Sequence, residues 1–310
     1  MRAIAFADFG VAPRIHDLAI PVPAAGEVRV RVHAASVNGF DVAVASGYLD
    51  GMMEHRFPVV LGKDFSGVVD ALGEDVDGFA IGDRVFGVVT KEFLGDGSFG
   101  EYVTVPAAVG LAPLPEQVSF TEGASLGLAG TAALDAVAAA EVTDGQVVLV
   151  AGATGGVGNQ AVQLAARAGA TVVATAHTTD ERELVTRLGA SAVVDYRDDI
   201  AAQVLTAYPA GVDAVIHLAG DASALLPAVR HGGRFASTLI GSPEQLPTDA
   251  ATVTPVYAHP SAATLDTLAE NEASSHTAVQ VARTYPLEQV AQAFADFGAG
   301  TQGKLVITIA

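Results

Sequence analysis

Glycine spacing is the first sign of chemistry in this chain. Residues 147–166 open on apolar β-formers, Val147-Val148-Leu149-Val150-Ala151, and pass through Gly152-Ala153-Thr154-Gly155-Gly156-Val157-Gly158. They continue with apolar residues at helical spacing: Val157, Ala161, Val162, Leu164 and Ala165. A helix start presents unpaired backbone N–H groups and a partial positive charge, which together favour a phosphate. Gly155 lets the backbone approach a pyrophosphate, and Gly158 lets the helix pack closely on the strand. Ala153 stands where the first glycine of such a pattern usually lies. Strand, glycine turn and helix together predict a dinucleotide site held by Ala153, Thr154, Gly155, Gly156, Val157 and Gly158. Leu218-Ala219 and Ser237 to Leu239 fall at the predicted C-terminal ends of later strands, where open α/β sheets take ligands. His217, just before them, reads as a histidine satisfied by backbone.

The strand predicted over 171–176 sets the choice between NADH and NADPH. An acid at its end would accept from a ribose 2′-hydroxyl and repel a 2′-phosphate. The sequence there is Ala174-Thr175-Ala176-His177-Thr178-Thr179, without an acid. NADPH is therefore the expected cofactor, with His177, Thr178 and Arg182 as ligands. Asp180 and Glu181 read as an acidic first helical turn opposing the macrodipole.

The elements that must position these residues follow from texture. Residues 1 to 118 are β-rich, with short strands such as Val28 to Ala34 and Gly67 to Gly73 between Gly, Pro and Asp turns. This predicts a distorted, barrel-like lobe. From Ser119 the texture becomes helical. Strands and helices then alternate, with helices over 180–188, 222–229 and 261–270 and strands over 192–195, 212–218, 233–240 and 252–257. Such alternation predicts an α/β, doubly wound parallel sheet over 119–272. The tail, 273–310, ends on a β-branched strand, Lys304 to Ile309, expected to complete the first lobe. That lobe is then discontinuous, 1–118 with 273–310.

Bulk properties narrow the partners. The chain has 310 residues, no cysteine and a formal net charge of −19. Disulfides, thiolate zinc sites and thiol catalysis are excluded. The charge argues against nucleic acid and anionic membranes as partners. No signal-like or spanning segment stands out, so a cytoplasmic location is expected.

Several motifs in combination resemble a known family. They are Val32-His33-Ala34-Ala35-Ser36-Val37-Asn38 with Asp41, Leu61-Gly62-Lys63-Asp64-Phe65-Ser66-Gly67, and Val76 to Val85. Gly97-Ser98-Phe99-Gly100-Glu101-Tyr102, Gly130-Thr131-Ala132, Gly232-Gly233-Arg234 and Gly303-Lys304-Leu305-Val306 extend the match along nearly the whole chain. The sequence resembles the zinc-independent quinone oxidoreductases, the ζ-crystallin-like group of the medium-chain dehydrogenase/reductase superfamily. The resemblance implies a GroES-like lobe and a Rossmann lobe, with NADPH reducing a quinone or an α,β-unsaturated carbonyl. It implies cofactor contacts from Thr131, at a helix start, and from Tyr196. It brings Asn38 and Asp41 to the substrate side, and suggests Tyr48 or Lys63 as proton donor. Zinc-dependent members carry Gly-His-Glu where this chain has Gly62-Lys63-Asp64, so no metal site is expected. The edge strand at 252–257 is one that relatives use to form homodimers. Two rivals stand beside this reading: an enoyl reductase of a biosynthetic pathway, and a protein that binds NADPH without turnover.

Overall fold

Runs of Val, Leu and Ala can be strands only if both faces are covered, and the second half of the chain does this. The computed structural model describes residues 1–309. Within it, six parallel strands lie in the order Ala192–Val194, Thr171–Thr175, Val147–Ala151, Val212–His217, Val229–Ser237, Ala251–Pro255. Numbered along the chain this is 3-2-1-4-5-6, the Rossmann order, whose direction reverses beside the first strand. Alternate residues of that strand serve opposite faces. Val148 and Val150 pack with Ala161, Val162 and Ala165 of the helix Gly156–Arg167. Leu149 and Ala151 pack with Val204, Leu225 and Phe235. A fully buried Val or Leu stabilises by about 1.5–3 kcal/mol, so the two faces lock the glycine-turn strand in register.

Local chemistry corrects the predicted elements in this half. The helix foreseen over 222–229 is only Ala222–Leu225, and a 3₁₀ turn follows at Leu226–Ala228. Pro227 removes an N–H donor and ends the regular turn. The next strand therefore starts earlier than foreseen, at Val229. A helix absent from the sequence reading, Ile200–Ala207, begins where the Asp199 side chain accepts from the Ala202 N–H; an Asp cap of this kind stabilises by about 1 kcal/mol.

The other half is built on the long strand Glu27–Ser36. Its first part pairs with Tyr102–Pro106 and its last part with Lys304–Thr308, while Asp64–Leu72 runs along its other edge. Register shifts at Arg29/Val30 and Val32/Ala34 bend this pair, as bulges do. Gly67 permits the close approach, since a Cβ there would lie 2.0 Å from the Arg31 carbonyl oxygen. The sheet continues through Arg84–Val88 to Leu111–Pro113 on one side and to Val281–Pro286 on the other. Arg2–Phe6 forms a separate three-stranded sheet with Arg14–Asp17 and Val59–Val60. The β-rich lobe foreseen is thus built on a bulged sheet with a smaller companion.

The chain packs as two units: Met1–Thr131 with the chain from Pro260, and Ala132–His259. The first break lies inside the 20-residue helix Phe120–Ala139 rather than before it. The helix start is tied to the first unit: the Phe120 carbonyl accepts from Ser66 Oγ, and the Leu128 N–H donates to Asp64. The helix Ala262–Ala273 also belongs there, its Leu268 packing on Gly130. Among the described residues, no helix is long and apolar enough to cross a membrane.

Candidate functional site

The glycine turn is stretched over a tightly fitted base. Gly152 has φ +88°, and a Cβ there would meet Ala219 at 2.9 Å; glycine is required on both counts. Gly158 is closer still, with a Cβ position 2.1 Å from the Gly152 carbonyl oxygen. Gly155 differs. Its φ of −75° suits any residue, and a Cβ would meet only the Gly152 oxygen, at 3.5 Å. The space over Gly155 is therefore open, a cradle that a side chain would fill. Gly155 is also the N-cap of Gly156–Arg167, and no side chain caps that helix or places an acid in its first turn. Open space, uncapped N–H groups and a positive helix end fit a pyrophosphate. Ala153 is buried in the core, so only its backbone can face a ligand.

Two side chains that sequence reasoning missed hold this turn. Asn159 Nδ2 donates to the carbonyls of Thr154 and Gly155, both at 2.7 Å. Thr175 Oγ1 accepts from the Gly152 N–H at 2.9 Å. Both are buried. A polar residue one position past the last glycine was the available signal for Asn159.

At the end of strand Thr171–Thr175 the three expected phosphate ligands already have partners. His177 Nδ1 lies 2.8 Å and 3.0 Å from the two oxygens of Asp195. Arg182 Nη2 is 3.5 Å from the same carboxylate, and its Nε donates to the His177 carbonyl at 3.2 Å. Thr178 caps the helix Thr179–Arg187, its hydroxyl accepting from the Glu181 N–H. Glu181 completes a capping box, accepting from the His177 and Thr178 N–H groups and from the Tyr196 hydroxyl.

His217 closes the strand ends beside the turn. Its Nε2 faces the Gly220 carbonyl at 3.1 Å, which can only accept, so Nε2 carries the proton. Its Nδ1 then accepts from Ser237 Oγ at 2.8 Å, and that oxygen accepts from the Leu239 N–H. Burial keeps the imidazole below its ordinary pKa, hence neutral. Leu218, Ala219, Ser237 and Leu239 are thereby held at the C-terminal rim of the sheet.

In the first unit the expected substrate-side residues form a buried polar cluster. Lys304 Nζ donates to Asn38 Oδ1 at 2.6 Å and to the Val37 carbonyl at 3.0 Å, and lies 3.5 Å from Asp64. Asn38 Nδ2 donates to Asp64 at 2.9 Å and to the Ser36 carbonyl at 3.3 Å. Both hydrogens of that amide are engaged, so the expected Asn38 contact to a ligand has no donor left. Asp41 is 1% exposed and accepts from the Asn38 N–H. Lys63 Nζ donates to the Val89 carbonyl and sits 4.9 Å from the Phe40 ring centre. Tyr48 is 73% exposed on the turn after the helix Gly39–Ala45. Thr131 lies inside the helix Phe120–Ala139, not at its start, and its hydroxyl donates to the Gly127 carbonyl.

Two family descriptions match the chain: "alcohol dehydrogenase GroES-like domain" over residues 24–116 and "zinc-binding dehydrogenase" over 156–260. A quinone oxidoreductase of Sus scrofa is 32% identical over 94% of this chain and 92% of its own. The chain belongs to the quinone oxidoreductase, ζ-crystallin-like group of the medium-chain dehydrogenase/reductase superfamily. This quinone oxidoreductase homologue is an oxidoreductase with a Rossmann, NAD(P)-binding fold. A quinone oxidoreductase structure from Coxiella burnetii superposes with TM-score 0.90 at 29% identity, covering 100% of this chain and 99% of that one. A mycobacterial structure solved with NADPH gives TM-score 0.87 at 26% identity, covering 99% and 100%. A mycocerosic acid synthase-like polyketide synthase of Mycolicibacterium smegmatis is 38% identical over 69% of this chain, which corresponds to 10% of that much longer protein.

The zinc in one of those family descriptions does not fit the residues of this homologue. Gly62-Lys63-Asp64 offers an ammonium and one carboxylate. That carboxylate is consumed by Ser36, Asn38, Lys304 and the Leu128 N–H. The sequence has no cysteine, and among the described residues no group of three His, Asp or Glu could hold a metal.

The cluster carries a pH signature. Burial, with the nearby Asp64 charge, pushes the Asp41 carboxyl up to about 7. An acid raised in the folded state makes stability fall as pH rises from its unfolded value, about 4, to its folded value, with no further change above. Asp41→Asn keeps an acceptor for the Asn38 N–H and removes the charge. The variant is expected to melt higher than wild type at pH 8 and to match it below about pH 4. Glu272, also pushed to about 7 by burial, adds a slope of the same sign that the variant retains. A melting curve at pH 8 no higher than wild type would show that Asp41 is not a buried anion there.

Proposed function

We propose that this chain is an NADPH-dependent, zinc-independent reductase of quinones or α,β-unsaturated carbonyls. The carrying observation is the open cradle at Gly155 over an uncapped helix N-terminus, beside the strand where the sheet order reverses. Gly155, Gly156, Val157 and Gly158 would hold the pyrophosphate, with Leu218, Ala219, Ser237 and Leu239 on the rim toward the nicotinamide. NADPH bound there supplies a hydride to the electron-poor carbon of the acceptor. The preference for NADPH rests on Arg182, a cation near the end of the second strand, with His177, Thr178 and Tyr196 beside it.

As the acceptor is reduced, negative charge develops on its oxygen. Asn38 and Thr131 have given their side-chain hydrogens to the protein. Lys63 uses one of three on Val89, so its ammonium is the proposed electrostatic partner of that oxygen. Burial lowers its pKa, which makes it a better proton donor than a solvated lysine. The exposed Tyr48 hydroxyl or solvent is the alternative proton source. A cytoplasmic homodimer belongs to the same reading, supported by the strand Ala251–Pro255, whose outer edge has no partner among the described residues.

A second reading, an enoyl reductase of a biosynthetic pathway, is favoured by the likeness to the polyketide synthase. An acceptor panel separates the two. Steady-state NADPH oxidation with benzoquinones, simple enones and 2-enoyl thioesters is expected to be fastest with quinones. A preference of tenfold or more for the thioesters, on the order of 1.4 kcal/mol of transition-state binding, would transfer the assignment. No turnover with any acceptor would leave only the binding-protein reading.

A further inference from the structure

We propose that Asp195, from the strand next to the one that ordinarily sets cofactor choice, limits the affinity for the 2′-phosphate of NADPH by competing with it for Arg182. The proposal rests on the dinucleotide reading above. Rossmann sites usually select NADH with an acid at the end of the second strand, and this chain has His177 there. The acid arrives instead from the third strand. Asp195, just after Ala192–Val194, places both oxygens on His177 Nδ1, at 2.8 Å and 3.0 Å, and one near Arg182 Nη2 at 3.5 Å.

Asp195 is fixed in place. Its side chain accepts from the Arg197 N–H at 2.9 Å. Its own N–H donates to Gln203 Oε1 and its carbonyl accepts from Gln203 Nε2, each at 2.9 Å. The Arg197 N–H, and after it the His177 ring, hold the carboxyl below its ordinary pKa, so it is ionised at neutral pH. The His177 ring and the Arg182 guanidinium, which a 2′-phosphate would meet, are thus already engaged by a carboxylate. Glu181 holds the adjacent His177 and Thr178 N–H groups as well. A phosphate entering here must displace Asp195 from Arg182 and His177 and accept a carboxylate as its neighbour, both unfavourable. A ribose 2′-hydroxyl meets neither penalty, so Asp195 narrows the preference for NADPH that Arg182 provides.

Asp195→Asn removes the charge at nearly constant shape. The affinities of NADPH and NADH are measured by calorimetry for wild type and variant, with 2′,5′-ADP and 5′-AMP as probes of the adenosine end alone. The NADPH-to-NADH affinity ratio is expected to rise about tenfold or more, and the 2′,5′-ADP-to-5′-AMP ratio with it. Asp195→Glu is expected to restore the wild-type ratio, which a loss of local structure would not do. Arg182→Ala, at a half-buried side chain, tests the same network while leaving Asp195 itself unchanged: the NADPH-to-NADH ratio is expected to fall about tenfold. A ratio unchanged in Asp195→Asn, or in Arg182→Ala should the first variant not fold, overturns the inference. If wild type binds neither dinucleotide, it is the reading of the glycine turn that has failed.

Discussion

Gly155→Val is expected to fold as wild type and to lose dinucleotide affinity by at least about a hundredfold. The residue has extended backbone, φ −75° and ψ 174°, which a β-branched side chain adopts readily. Its Cβ would meet one atom, the Gly152 oxygen, at ordinary contact distance. The isopropyl group would project into the space over the helix start and cover the N–H groups there. Two charge-assisted hydrogen bonds lost at about 1.5–3 kcal/mol each correspond to two to four orders of magnitude in affinity. Thermal melting separates this from a folding defect, and the midpoint should move by less than about 2 °C. Gly158→Ala is the contrast. Its methyl would sit 2.1 Å from the Gly152 oxygen, so it should lower the melting temperature as well as binding. Undiminished affinity in Gly155→Val would place the pyrophosphate elsewhere.

Lys304→Met should be the most damaging single change in the first unit. The ammonium is 4% exposed. Removing it leaves the Asp64 charge, the Asn38 Oδ1 atom and the Val37 carbonyl short of a donor. Breaking one side of a buried pair costs about 3–5 kcal/mol, because the remaining charge stays desolvated. Lys304→Met combined with Asp64→Asn should be less unstable than the sum of the two single variants, by about 1 kcal/mol or more, since the partners share one network. Denaturant melts of the three variants measure this. Simple additivity would mean that the pair is not coupled and that Lys304 does not organise Asn38 and Asp64.

The contrast between these two sites explains what the amino-acid order reveals. The turn is local. Gly152 to Gly158, the apolar strand before them and the apolar helix face after them are contiguous, so composition and period suffice to find the anion cradle. The centre of the six-strand sheet is legible for a related reason: in Val147–Ala151, Thr171–Thr175 and Val212–His217, Val, Leu, Ile and Ala predominate. The polar cluster is not legible in this way, because 266 residues separate Lys304 from Asn38. Nothing near Lys304 in sequence announces a carboxylate. Motif resemblance brought Asn38 and Lys63 forward as ligand-facing groups. The packing instead turns the Asn38 amide inward and gives Lys63 one internal acceptor. Asp195 is not legible as a neighbour of His177, because cofactor-setting acids ordinarily end the second strand, whereas sheet pairing delivers this one from the third. Thr131 was assigned to a helix start, yet an unbroken Ala- and Leu-rich segment carries the helix straight through it.

The most direct test of the account is a calorimetric titration of the protein, and of Gly155→Val beside it, with NADPH and with NADH. The account predicts saturable binding of one dinucleotide per chain by the wild type and its loss in the variant. Absence of binding for both dinucleotides, or equal binding by wild type and variant, would contradict the assignment of the glycine turn and with it the proposed reductase.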